Sequence, residues 1–176
     1  MEQVGDRHRI ACEGFALTVR QGAGRWDNPS PCAEWDARGI VEHVIGFHDV
    51  LLLDPVGAKP NRPKGDPAAR WTVTESAIDA VIGEALAGAS SAPKLSRLLP
   101  MLTLDVVVHT WDLARSVDID PHLDPELCQV CLDLVRPNEE ILRASSMFGP
   151  AVPTPADADP GTRLIALLGR DPDWGP

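Results

Sequence analysis

The run LLPMLTLDVVVHTWDLARSV, residues 98–117, constrains this chain more than any other stretch. It is apolar nearly all round, yet it carries Asp105 and His109 in its middle. Val106, Val107 and Val108 favour a strand, whereas the length of the run and its Leu/Met-rich flank favour a helix. The choice has chemical consequences. Side chains four residues apart on a strand share a face but sit about 13 Å apart. On a helix their Cβ atoms lie about 5–6 Å apart, one above the other. The spacing predicts a helix over about 97–117, and a segment apolar on all sides is a buried central helix. A carboxylate and an imidazole buried on it need a partner.

The other periodic segments are amphipathic helices. Val4, Ile10, Phe15 and Val19 mark a first helix over 3–21, followed by a Gly/Pro-rich loop at 22–35. Asp36 reads as the N-cap of a second helix over 37–53, with Trp35 and Ile40 placed as a hydrophobic staple. Residues 54–71 hold four prolines and read as a long crossover loop. Thr72 or Thr74 then caps a third helix over about 74–88. Asp124 caps a fifth over about 125–143, and the Pro-rich stretch after it leads to one short helical piece, TRLIALLGR. The expected fold class is all-α, a four-helix bundle with a long crossover loop and a short extra C-terminal helical segment. Residues 1–146 would form the bundle, and 147–176 a Pro-rich tail packing on it.

A length of 176 residues suits one domain with a sizeable core. Sixteen Lys+Arg against 26 Asp+Glu give a net charge of −10, which argues against nucleic acid and anionic membrane surfaces as partners. No stretch approaches a membrane span, and the N-terminus lacks the apolar core of a signal peptide. Four cysteines in such a chain read as reduced cytoplasmic thiols. Cys128 and Cys131 form a CxxC inside the amphipathic fifth helix, without the βαβ context of a redox motif, and read as packed thiols. Lys59, Arg62, Lys64 and Arg70 concentrate positive charge on the 54–71 segment, as a solvated linker or as a guide for an anionic substrate.

Asp105 and His109 offer two ligands to a metal ion, and a third must come from another helix. His122 lies in a turn and His8 in the polar part of the first helix, which makes both poor candidates. The second helix carries His43 and His48, each beside apolar neighbours, with Arg38, Glu42 and Asp49 on the opposite face. Helical geometry alone does not choose between them. Two histidines and a carboxylate leave coordination positions open, the pattern of a catalytic site. The set suits Zn²⁺, and the same ligand types serve non-haem iron. Without metal, Asp105 and His109 would be a buried hydrogen-bonded pair. Asp112 continues the same helical stripe, where it orients a ligand or pairs with Arg115 or Arg38. Trp111 reads as core packing, and Cys32 as loop packing or as a thiol approaching the site.

SPCAEWDARGIVEHV (30–44), DVVVHTWDLARS (105–116) and FGPAVPTPADADPGTRLIALLGRDPDW (148–174) together resemble the metal-binding domain of mycothiol-dependent maleylpyruvate isomerase. More narrowly, they resemble short actinobacterial relatives of it within the DinB-like superfamily. The resemblance implies a four-helix bundle holding a divalent metal, zinc first and nickel or iron as alternatives. It matches the second-helix ligand to His43 rather than His48, and the later pair to Asp105 and His109. The isomerase has glutamate where this chain has Asp105, and it carries a further C-terminal domain where a short tail follows here. The implied activity is therefore metal-assisted transfer or isomerisation with a low-molecular-weight thiol such as mycothiol, on a small electrophile. A metal-dependent hydrolase and a non-catalytic metal or small-molecule binder are the alternatives. A homodimer is compatible with any of them.

Overall fold

Four aspartates start four helices by accepting backbone N–H groups that have no partner inside the helix. Asp36 accepts from Gly39, Asp66 from Ala68 and Ala69, Asp124 from Leu127, and Asp159 from Thr162. In this computed structural model the elements are α1 (Glu2–Gln21), α2 (Ala37–His48), α3 (Pro67–Leu86), α4 (Ala92–Ser116), α5 (Pro125–Val135), α6 (Glu139–Ala144) and α7 (Pro160–Leu167). The structure describes residues 1–144 and 148–175, and no strand occurs among them. The expected boundary between residues 146 and 147 lies outside the described residues.

The molecule is an all-α bundle. α1 and α2 each pack against both α3 and α4, while α5 packs on α4 and carries α7 on its other side. The core is one contiguous cluster, with Phe15, Ile40, Trp71, Ile82, Leu99, Leu104 and Leu132 fully buried. Phe15 and Trp71 meet edge to face with ring centres 4.7 Å apart, which ties α1 to α3. α4 is the central rod: an unbroken buried run from Val106 to Ala114 faces neighbours on every side.

Several boundaries differ from the sequence expectation, each for a local reason. The third helix starts at Pro67 rather than near residue 74, because Asp66 caps it and proline is preorganised for the first helical turn. The crossover loop ends at Asp66 rather than at residue 71. The fifth helix does not run to 143. It stops at Val135, passes through a 3₁₀ turn at Arg136–Asn138 containing Pro137, and resumes as α6. The central helix begins at Ala92, and the C-terminal one spans Pro160–Leu167.

The second helix is regular only to His48. Asp49–Leu53 form a π-helical turn and Asp54–Val56 a 3₁₀ turn. His48 Nδ1 donates to Val44 O at 2.7 Å at the point where the turn widens. The extra residue per turn rotates the side chains beyond it. Val50 is 66% exposed, while Asp49, expected on the face opposite the apolar one, is buried. Asp49 accepts two hydrogen bonds from the buried Arg62 guanidinium at 2.6 and 2.9 Å, and Arg62 Nε donates to Thr74 at 2.6 Å. Arg70 pairs with Glu42, and Lys59 with Asp49 and Asp54. Three of the four cations on the 54–71 segment are thus neutralised locally, which removes the basis for reading it as an anion guide. Among the described residues, no helix is long and apolar enough to cross a membrane.

Candidate metal centre

α4 places Asp105 and His109 on one stripe, one turn apart, facing α2. Opposite them α2 presents His43. Its Nε2 lies 3.2 Å from Asp105 Oδ1, and His109 Nε2 lies 3.5 Å from the same oxygen. The three ligand atoms fall within 4.8 Å of one another. Donor atoms around a tetrahedral zinc are separated by about 3.4 Å, from metal–ligand lengths of about 2.0–2.2 Å. The spacing therefore matches what one ion requires.

His109 is fixed from behind. Its Nδ1 donates to Asp112 Oδ2 at 2.9 Å, so the other ring nitrogen faces His43 and Asp105. A carboxylate bracing the far nitrogen of an imidazole is the arrangement that orients metal-ligating histidines. Asp112 has no solvent exposure and is neutralised by Arg170, whose Nη2 and Nε donate to it at 3.0 and 3.3 Å. Its expected partners were Arg115 and Arg38. Arg115 instead lies over the Trp111 ring at 5.4 Å and donates to Pro172 O, and Arg38 donates to Gly65 O. Trp111 is buried and packs away from the trio's pocket.

The remaining sequence candidates separate cleanly. His48 is buried but turns away from the trio, toward His8. His8 is fully buried rather than in a polar face, which corrects the expectation for it. Burial, reinforced for His8 by the neighbouring His48, holds both imidazoles below the ordinary histidine range. His122 is exposed. Trp35 does more than staple the helix start: its ring stacks on His43 at 4.4 Å and tilts toward His109 at 5.5 Å. Cys32 is not mere loop packing, since its Sγ contacts Asp112 Oδ2 at 3.3 Å and Arg170 Nη2 at 3.5 Å. Sequence reasoning missed Arg170. The signal was Gly169 (φ +82°), whose glycine conformation turns the chain after α7.

The electrostatics reflect burial opposed by close partners. Burial works against ionisation of Asp105, but contacts from His109 and His43 outweigh it and hold the carboxyl well below the usual carboxylate range. Burial likewise works against a charged His109, and its bonds to Asp105 and Asp112 push it up to about 9. For Asp112, burial is again outweighed, by His109 and Arg170, and the group stays ionised. Cys32 is pushed up to about 12 by burial and by Asp112, so it is no ready thiolate.

One atom stands out. Among the described residues Asp105 Oδ2 is buried without a hydrogen-bond partner, and a buried carboxylate oxygen left unpaired is costly. An Asp–His pair alone does not account for it, whereas a cation beside Asp105 would. The donor set fits a divalent ion: two imidazole nitrogens and a carboxylate, with neither His48 nor Asp112 free to close the site. The trio opens on a pocket of about 390 Å³ with mainly apolar walls, including Trp35, Phe47, Met101, Leu104, Val108 and Phe148, and with Cys32 and Arg170 along one side.

Among the comparisons with known proteins, no family model and no solved structure matches the chain. Two sequence relatives do, uncharacterized proteins Rv0738 and MT0763 of two Mycobacterium tuberculosis strains. Each is 31% identical over 178 residues, covering 93% of this chain and 95% of the relative. At that coverage the likeness extends over nearly the whole bundle, and the chain belongs to the family of these mycobacterial proteins.

Proposed function

We propose that this protein binds a divalent metal through His43, Asp105 and His109, and that it is a DinB-like enzyme of the mycothiol-dependent isomerase type. Its reaction would be transfer or isomerisation with a low-molecular-weight thiol on a small electrophile. The observation that carries the reading is the open trio: three donor atoms at the spacing one ion needs, a buried carboxylate oxygen with no other partner among the described residues, and an apolar pocket beside them. Zinc suits the donor set best, with nickel or iron as alternatives.

When bound, a divalent cation would supply the acidity that turns a thiol into a thiolate at neutral pH. The chain's own residues do the rest. Asp112 holds the His109 ring with Nε2 toward the pocket, and Arg170 holds Asp112 ionised. Trp35 and Phe47 stack against His43 and hold the plane of its ring. Cys32 places its thiol on Asp112, at the His109 ring nitrogen that does not face the trio. The apolar walls suit an uncharged or weakly polar electrophile, since Arg170 is already committed to Asp112.

The test has two stages. Elemental analysis of the purified protein beside His109→Ala is expected to show one equivalent of divalent metal more in the wild type than in the variant. Turnover is then measured with mycothiol, glutathione and water as the alternative nucleophiles. Thiol-dependent turnover supports the proposal, thiol-independent hydrolysis replaces it with a hydrolase, and metal without turnover leaves a binder. Equal metal in the two proteins leaves only a buried Asp–His pair at positions 105 and 109.

A further inference from the structure

A second group of ligating side chains lies outside that pocket. His8 and Cys12 sit one turn apart on α1, and His48 ends α2; all three are buried. His48 Nε2 is 3.2 Å from His8 Nε2, and Cys12 Sγ is 3.6 Å from His8 Nε2. The three donor atoms lie within 4.8 Å of one another.

The far nitrogens of both rings are already used. His48 Nδ1 donates to Val44 O at 2.7 Å, which leaves Nε2 of the neutral ring with a lone pair. Thr103 gives its hydroxyl proton to Leu99 O at 2.7 Å, so at 3.1 Å it accepts from His8 Nδ1. His8 Nε2 then carries a lone pair as well. Two lone pairs face each other at 3.2 Å in a dry core, with the weak S–H donor of Cys12 3.6 Å from the one on His8, and a cation between them would relieve the repulsion. Each ring is braced from behind by a backbone carbonyl or a hydroxyl, as metal-ligating histidines are.

We propose that His8, Cys12 and His48 form a second, buried site for a thiophilic d¹⁰ cation, Zn²⁺ or Cu⁺. Around such an ion at tetrahedral angles, with bonds of about 2.0–2.1 Å to nitrogen and 2.3 Å to sulfur, N···N is about 3.3 Å and N···S about 3.6 Å. The observed 3.2 and 3.6 Å agree. The donors are two imidazoles and one thiol with no carboxylate, the set that selects soft ions over Mg²⁺ or Ca²⁺. Deprotonated Cys12 balances the charge of Cu⁺ fully and of Zn²⁺ in part. All three side chains are buried, so the role of the site is structural: it joins α1 to α2, which otherwise meet chiefly through α3 and α4. If Thr103 instead turns its proton to His8, His8 Nε2 donates to His48 and the pair needs no metal. The experiment separates the two.

The full chain is refolded from urea with Zn²⁺, with Cu⁺ under anaerobic reducing conditions, or with Co²⁺ as a spectroscopic probe, because a buried site loads as the chain folds. His109→Ala, which removes the first site, is expected to retain one equivalent and the near-ultraviolet thiolate-to-cobalt absorption. Cys32→Ala is expected to keep that absorption and Cys12→Ala to lose it. Zn²⁺ against Cu⁺ is decided by which ion survives competition with a chelator of known affinity. X-ray absorption on metal-loaded His109→Ala gives a check that needs no Cys12 variant: one sulfur neighbour at about 2.3 Å is expected. The proposal is overturned if His109→Ala binds no metal, if Cys12→Ala keeps the absorption, or if the ion has no sulfur neighbour. None of these results depends on whether the first site binds metal.

Discussion

Asp112→Asn tests how much the trio depends on the group behind it. Asp112 has no solvent exposure and accepts from His109 Nδ1 at 2.9 Å and from Arg170 at 3.0 and 3.3 Å. Asparagine keeps one acceptor oxygen but no charge. It leaves the largely buried Arg170 without a counter-ion and His109 without the carboxylate that fixes its tautomer. Losing such a bracing group weakens metal binding about 10–100-fold, or about 1.4–2.7 kcal/mol. Breaking a buried ion pair costs about 3–5 kcal/mol, and the retained oxygen puts this case near 3. At about 2–4 °C per kcal/mol for a chain of this size, the melting temperature falls by about 6–12 °C. Adding Arg170→Met removes the stranded cation and is expected to recover most of that stability, but none of the affinity. Zinc titration against a chromophoric chelator, run beside thermal unfolding of all three proteins, separates the two effects. Affinity in Asp112→Asn within twofold of wild type would refute the reasoning.

Other expectations rest on particular contacts. Arg62→Met strands Asp49 in the π-helical turn with only Lys59 at 3.4 Å, and denaturant unfolding is expected to show a loss of about 3 kcal/mol. Gly169→Ala puts a methyl group 2.8 Å from the Gly149 backbone at φ +82°, so a loss of at least about 2 kcal/mol is expected, with weaker metal binding as Arg170 shifts. Burial pushes Cys128 and Cys131 up to about 12, so both thiols of the native protein should resist alkylation at pH 8 and react on unfolding. Because the folded chain holds these protons more tightly than the unfolded one, their stabilisation is full below about pH 9. It is lost as pH rises toward about 12, and Cys128→Ala/Cys131→Ala should flatten that decline in urea midpoint.

The sequence made some of this structure legible and hid the rest for identifiable reasons. Asp36 and Asp124 announced helix starts because a capping aspartate is a local signal. Asp66 did the same, but the proline after it was read as a breaker rather than as a first-turn residue. The all-round apolarity of 98–117 marked the buried rod, and the four-residue spacing of Asp105 and His109 marked its reactive stripe. The choice of His43 over His48 came from the resemblance alone, since both lie near the apolar side of α2. The structure shows that they serve different neighbourhoods, one on each side of that helix. Three things left no local trace. The π turn at Asp49–Leu53 swaps the inward and outward faces of two residues. The burial of His8 depends on α4 lying across α1. The Asp112–Arg170 pair joins residues 58 positions apart in the chain. Each is a product of tertiary packing, which periodicity does not encode.

The central claim is that His43, Asp105 and His109 share one cation. Crystals of the full chain grown with zinc, with anomalous diffraction recorded on both sides of the zinc absorption edge, test it most directly. The account predicts a peak about 2.0–2.2 Å from His43 Nε2, His109 Nε2 and an Asp105 carboxylate oxygen together. A map with no peak there, while His109 remains hydrogen-bonded to Asp105, would contradict it.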